Sequence, residues 1–92
     1  MVLTKVEIEK ALKKDLNNWK LSNSTIMRFI PRNDNKELGG IVKKIWDYAE
    51  KVNHHPDIFL TYSGIKISLF THDEFGVTEK DINFARSLDK LY

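Results

Sequence analysis

The chain contains no cysteine, which removes disulfide staples, thiolate nucleophiles and cysteine-bound zinc from consideration. Neither charge dominates: 15 Lys and Arg face 13 Asp and Glu, a net charge of +2. That imbalance is too small for a surface that tracks phosphates, so no direct nucleic-acid partner is expected. The adjacent lysine pairs, Lys13-Lys14 and Lys43-Lys44, fall on helical patterns and read as solvated surface. No apolar run approaches the roughly 20 residues that a bilayer-spanning helix needs, and the opening residues do not resemble a signal peptide. The expectation is a cytoplasmic protein without a membrane partner. Proline and glycine are also sparse, at two and four residues, and no segment is of low complexity. With 41% apolar and 30% charged residues, positions 1–92 read as a single domain around one small core.

Histidine is scarce as well, and its placement is informative. All three fall between positions 54 and 72, and imidazole is the side chain that exchanges protons near neutral pH. The stretch Glu50-Lys51-Val52-Asn53-His54-His55-Pro56 is the centre of the chain. Pro56 biases His55 away from helix, so the backbone turns out of a helix there. Two imidazoles at this turn and a third, His72, after a later strand could share one cleft.

The flanking elements follow from pattern. Thr4-Lys5-Val6-Glu7 has the form of a capping box, and Ile8, Ala11, Leu12, Asp15, Leu16 and Trp19 then recur at helical spacing. The predicted first helix runs from Lys5 to Asn17. After a turn at Ser22-Asn23-Ser24, a strand over Thr25–Ile30 places Ile26, Arg28 and Ile30 on one face, with Met27 and Phe29 on the other. A loop from Pro31 to Asn35 leads to a helix with Asp34 as N-cap and Glu37 behind it. Its inward stripe is Leu38, Ile41, Val42, Ile45, Ala49 and Val52, widened by Trp46. Gly39-Gly40 implies either close approach of a neighbouring backbone or an unstructured lead-in, since each glycine costs a helix roughly 1 kcal/mol.

That helix is expected to end near Asn53. Ile58–Tyr62 and Ile65–Phe70 read as a hairpin turning at Ser63-Gly64. A loop over Thr71–Gly76 follows, and Thr78-Glu79-Lys80-Asp81 opens a third helix whose inward face is Ile82, Ala85, Leu88 and Tyr92. The predicted fold is therefore α+β in the order α-β-β-α-β-β-α. It is a two-layer sandwich in which a four-stranded antiparallel sheet carries its helices on one face. The other sheet face, expected to hold Lys, Ser, Thr and Arg, is wet or lines a site. Thr25–Ile30 and Ile65–Phe70 are the strands expected to lie at an unprotected edge.

For the histidine cluster two chemistries compete. A metal shell needs three convergent ligands, and adjacent residues in extended chain point opposite ways, so His54 and His55 do not readily ligate one ion. Acid–base catalysis needs only an imidazole that donates, another that accepts, and a carboxylate that orients. Asp81 is a candidate for that carboxylate, with a capping role as the alternative. Glu50, one helical turn before His54, reaches the same cleft or is simply exposed.

The run Glu50-x-x-x-His54-His55-Pro56, then Tyr62, Thr71-His72 and Glu79-x-Asp81-Ile82-x-x-Ala85 resembles the pterin-4a-carbinolamine dehydratase family. The resemblance is close from Glu50 to Leu88; before that, Trp19, Phe29 and the second helix line up. It implies a dehydratase that converts 4a-hydroxytetrahydropterin to quinonoid dihydropterin and water, with no metal and no organic cofactor. In that reading His54 is the principal acid–base group, and His55 binds substrate and helps transfer the proton. His72 is a secondary acid–base group, Asp81 orients the site, and Glu50, Pro56 and Thr71 join His55 in binding the pterin. Family members also act as dimerisation cofactors, so a non-catalytic binding module is the alternative, and a homodimer or homotetramer is implied. The sequence departs from the family at Ile58, where many relatives carry an aromatic, at Gly39-Gly40, and in the loop before Leu38, which lacks the usual phenylalanines.

Overall fold

Thr4 opens the first helix as the sequence predicts: its hydroxyl accepts from the Glu7 N–H at 3.1 Å, while Glu7 returns a bond to the Thr4 N–H at 2.8 Å. In the computed structural model, which describes residues 1–31 and 38–91, this helix is α1 (Lys5–Asp15). It stops two residues short of the predicted end because Leu16 leaves helical geometry while its N–H still bonds the Leu12 carbonyl. The strands β1 (Lys20–Ser22) and β2 (Thr25–Pro31) follow, then α2 (Leu38–Val52), β3 (Asp57–Thr61), β4 (Gly64–Leu69), a 3₁₀ turn at His72–Glu74 and α3 (Glu79–Leu91). The order α-β-β-α-β-β-α and the α+β class are as expected.

The sheet is antiparallel throughout, in the order β1-β2-β4-β3. The two hairpins are therefore joined through β2 and β4, which lie in the middle; the edges are β1 and β3. This corrects the expectation that Thr25–Ile30 and Ile65–Phe70 lie at an edge. Opposite residues Ile26 and Leu69, Arg28 and Ile67, and Ile30 and Ile65 put one face of the central pair under the helices. There Ile65, Ile67 and Leu69 are fully buried with Ile8, Leu12 and Leu16 of the α1 region, Ile41, Ile45 and Ala49 of α2, and Ile82, Ala85 and Leu88 of α3. Burying each of the three β4 side chains is worth about 1.5–3 kcal/mol, which makes β4 the spine of the domain.

The expected polar content of the other face is only partly present. Arg28 lies on the covered face, where it donates to Asp89 of α3 at 2.6 Å; the same Asp89 oxygen accepts from the Trp19 indole at 2.8 Å. The open face instead carries Phe29 and Phe59, each about half exposed, on either side of Lys66, whose ammonium stands 4.6 Å from the Phe59 ring centre.

Three local predictions also change. The tight turn is Tyr62-Ser63, because Gly64 already pairs with Thr61 as the first residue of β4. Gly64 has φ +151, and a Cβ there would strike the Ile30 carbonyl oxygen, so glycine is required for close packing of the strands. Gly39 and Gly40 lie inside α2 with open space around them; neither backbone approach nor a lead-in accounts for them, and nothing in the structure explains them. Pro31 belongs to β2 rather than to a loop. The expected cap residues Asp34 and Glu37, and the inward Tyr92, lie outside the described residues.

Candidate active site

The C-terminus of α2 sets the position of both neighbouring histidines. Asn53 takes a left-handed conformation at φ 54, and the His54 N–H reaches back to the Ala49 carbonyl at 3.1 Å. This is the six-to-one bond of a Schellman cap, where asparagine is tolerated because it enters left-handed geometry at small cost. The reversal turns His54 inward and leaves buried Pro56 to lead into β3.

His54 meets Asp81 across 27 residues of sequence, with Nε2 2.6 Å from Oδ1. Asp81 is fully buried, and the His54 side chain is 13% exposed. The other Asp81 oxygen, Oδ2, accepts from the Thr71 hydroxyl at 2.7 Å and from the Thr78 N–H at 2.9 Å. Asp81 is thus at once a capping residue of α3 and a hydrogen-bond partner of His54. A carboxylate only accepts, so the directions along the chain of groups follow. The Lys80 N–H donates to Thr78 Oγ1 at 3.2 Å, Thr78 donates to Thr71 Oγ1 at 2.8 Å, and Thr71 donates to Asp81. With Asp81 as the acceptor, His54 Nε2 is the donor in this pair. Phe84, buried, stands edge-on to His54 at 6.3 Å between ring centres and is braced by Tyr48 at 5.1 Å.

Thr71 owes its placement to the loop that follows β4. Its N–H bonds the Gly76 carbonyl at 2.9 Å and its carbonyl accepts from Glu74 at 3.1 Å, closing the 3₁₀ turn that begins at His72. The His72 ring lies edge-on to Phe70 at 5.1 Å. Two residues further, a hydrogen bond from the α-amino group of Met1 holds the exposed Glu74 carboxyl below its ordinary value.

His55 lives in a different setting. Its Nε2 is 2.5 Å from Glu50 Oε2, its side chain is 33% exposed and that of Glu50 65%. The Trp46 ring rests 4.7 Å from it. The structure therefore joins His54, Asp81 and Thr71 into one network and His55 and Glu50 into a second pair. His72 follows Thr71 directly, and Pro56 follows both histidines. Thr78 belongs to the network although sequence reasoning gave it only a capping role; its place beside Asp81 in a Thr-x-x-Asp cap was the available signal. Trp46, assigned to the core stripe, is 45% exposed.

Among the described residues no three His, Asp or Glu side chains converge as a metal shell would require, and no described helix is long and apolar enough to cross a membrane. Two concavities, of about 560 and 830 Å³, flank α1 and contain no histidine. Thr71 and Asp81 tie the end of β4 to the start of α3, and His54 joins them from the end of α2.

The sequence pattern of the family described as Pterin 4 alpha carbinolamine dehydratase matches residues 1–91. A protein of Sulfurisphaera tokodaii, provisionally named pterin-4-alpha-carbinolamine dehydratase, is 34% identical over 97% of this chain and 95% of its own length. One from Acidobacterium capsulatum with the same provisional name is 37% identical over 97% and 96%. A crystal structure of a transcriptional coactivator/pterin dehydratase from Brucella melitensis superposes with a TM-score of 0.88 at 35% identity, covering 98% of this chain and 97% of that one.

Proposed function

The chain belongs to the pterin-4-alpha-carbinolamine dehydratase family, and on that footing we propose that it dehydrates a 4a-hydroxytetrahydropterin by histidine acid–base catalysis. In this elimination the C4a–O bond breaks, the departing hydroxyl takes a proton and leaves as water, and the N5–H bond yields its electron pair to a new C4a=N5 bond and its proton to the protein. Both transfers need groups that exchange protons near neutral pH. The observation that carries the reading is the buried Asp81 bound to His54 at 2.6 Å and saturated on its other oxygen by Thr71 and Thr78.

A carboxylate so held fixes the imidazole plane and keeps the proton on Nε2, presenting Nδ1 to the reacting atoms. His54 enters the step as the imidazolium, gives its Nδ1 proton to the leaving hydroxyl, and ends as the neutral imidazole that keeps its Nε2 proton toward Asp81. His55 binds the ring and receives the N5 proton, with His72 as the secondary acid–base group. Glu50 holds His55 with one oxygen and offers the other to the N–H edge of the pterin. Pro56 and the Thr71 backbone shape the rim. No metal or organic cofactor enters this scheme.

The test is to mix the protein with synthetic 4a-hydroxytetrahydropterin and follow quinonoid product by ultraviolet absorbance. The expected result is formation faster than in buffer; a rate equal to buffer contradicts the proposal. The second reading, a protein-binding module, has support from the Brucella melitensis neighbour, which is called a transcriptional coactivator as well as a pterin dehydratase. A pull-down that captures a stoichiometric partner, with wild-type protein inactive on the pterin, would favour that reading.

A further inference from the structure

The two tryptophans of the chain are used in opposite ways. Trp19 is 3% exposed and donates its indole N–H to Asp89, as a core tryptophan should. Trp46 is 45% exposed, although it follows Ile45, a residue in the buried face of α2. What Trp46 touches is His55, with ring centres 4.7 Å apart and planes inclined at 56°. Trp46 and Glu50 are four residues apart on α2 and share a face, and Glu50 Oε2 holds His55 Nε2 at 2.5 Å. Consecutive turns of one helix therefore grip one imidazole, by an aromatic ring and by a carboxylate, and the indole still has surface to offer.

We infer that Trp46 is a substrate-binding residue: its exposed surface packs on a face of the bicyclic pterin ring beside His55, and its contact with His55 fixes that imidazole against the ring. The inference rests on the dehydratase reading for the identity of the ring. The physical case is that an indole face packs favourably on an unsaturated nitrogen heterocycle, and that α2 supplies both groups that hold His55, the Trp46 ring and the Glu50 carboxylate. Glu50 adds a hydrogen-bond acceptor at the edge of the same platform, which suits a ring system rich in N–H donors.

The probe is 7,8-dihydropterin, which lacks the 4a-hydroxyl and cannot be dehydrated. Its Kd is measured by calorimetry for wild type, Trp46→Ala and Trp46→Phe, alongside KM and kcat for 4a-hydroxytetrahydropterin. Because the ring lies outside the core, both variants should keep the wild-type far-ultraviolet circular dichroism. Trp46→Ala should raise Kd and KM together by about tenfold, the scale of losing one stacked aromatic ring, with kcat little changed; Trp46→Phe should recover most of the loss. Unchanged Kd in Trp46→Ala overturns the inference, as does a fall confined to kcat that Trp46→Phe does not rescue. If wild type binds the probe without accelerating dehydration, the catalytic reading falls, and the inference is still decided by the Kd of the two variants. Wild type that does not bind the probe overturns the inference, while the dehydratase reading is decided separately by the rate.

Discussion

His54 and His55 are neighbours in the chain, and each has a carboxylate on Nε2, yet they inhabit unlike surroundings. His54 faces a fully buried Asp81 whose second oxygen is committed to Thr71 and Thr78. His55 faces a mostly exposed Glu50 and leans on a half-exposed indole. Asn53, in left-handed geometry, ends α2 immediately before the two histidines, which then meet different partners. A histidine–carboxylate pair is thus no single device. In one case the carboxylate is part of the core and the imidazole inherits its fixed position. In the other the pair is a surface contact, screened by water and free to adjust to a ligand.

The sharpest way to break this comparison is Asp81→Ala. It strands the Thr71 hydroxyl, the Thr78 N–H and His54 Nε2 and removes the α3 cap, at a cost of about 3 kcal/mol for unsatisfied buried groups and a lost cap. Thermal unfolding should show Tm lower by roughly 10 °C or more, with a parallel loss of dehydration rate. Thr71→Val keeps the shape and deletes one donor, so a loss of about 1–2 kcal/mol by urea unfolding is expected, with a smaller fall in rate. Glu50→Gln should leave stability within about 0.5 kcal/mol of wild type, since an exposed ion pair contributes little; its effect should appear in KM. If Glu50→Gln destabilised as much as Thr71→Val, the two pairs would not differ as described.

Much of this arrangement was legible in the sequence. Periodicity gave the three helices, alternation gave strands β2 and β4, and Thr4 and Thr78 marked two helix starts, because such signals depend on residues close in the chain. The histidines, Asp81 and Thr71 were identified from spacing and family resemblance. What escaped was decided between elements. The central position of β2 and β4 depends on which hairpins pair, which neither strand encodes alone. Alternation put Arg28 on the face of Ile26 and Ile30, but only the packed helices reveal that its partner there is Asp89 of α3. Trp46 satisfied helical spacing and was placed in the core; only the reversal at Asn53, which brings His55 back along α2, reveals its contact. The double use of Asp81 was visible as two alternatives and could be resolved only by seeing its two oxygens separately engaged.

The most direct test of the account compares two single variants on one substrate: the rate of 4a-hydroxytetrahydropterin dehydration with His54→Ala and with His55→Ala, each beside wild type. If the anchored imidazole is the principal acid–base group, His54→Ala loses about 10²-fold or more in kcat, as removal of such a group predicts. His55→Ala then loses less in kcat and more in KM. Equal losses in kcat, or a larger one in His55→Ala, would contradict the claim that the buried Asp81 network selects the catalytic histidine.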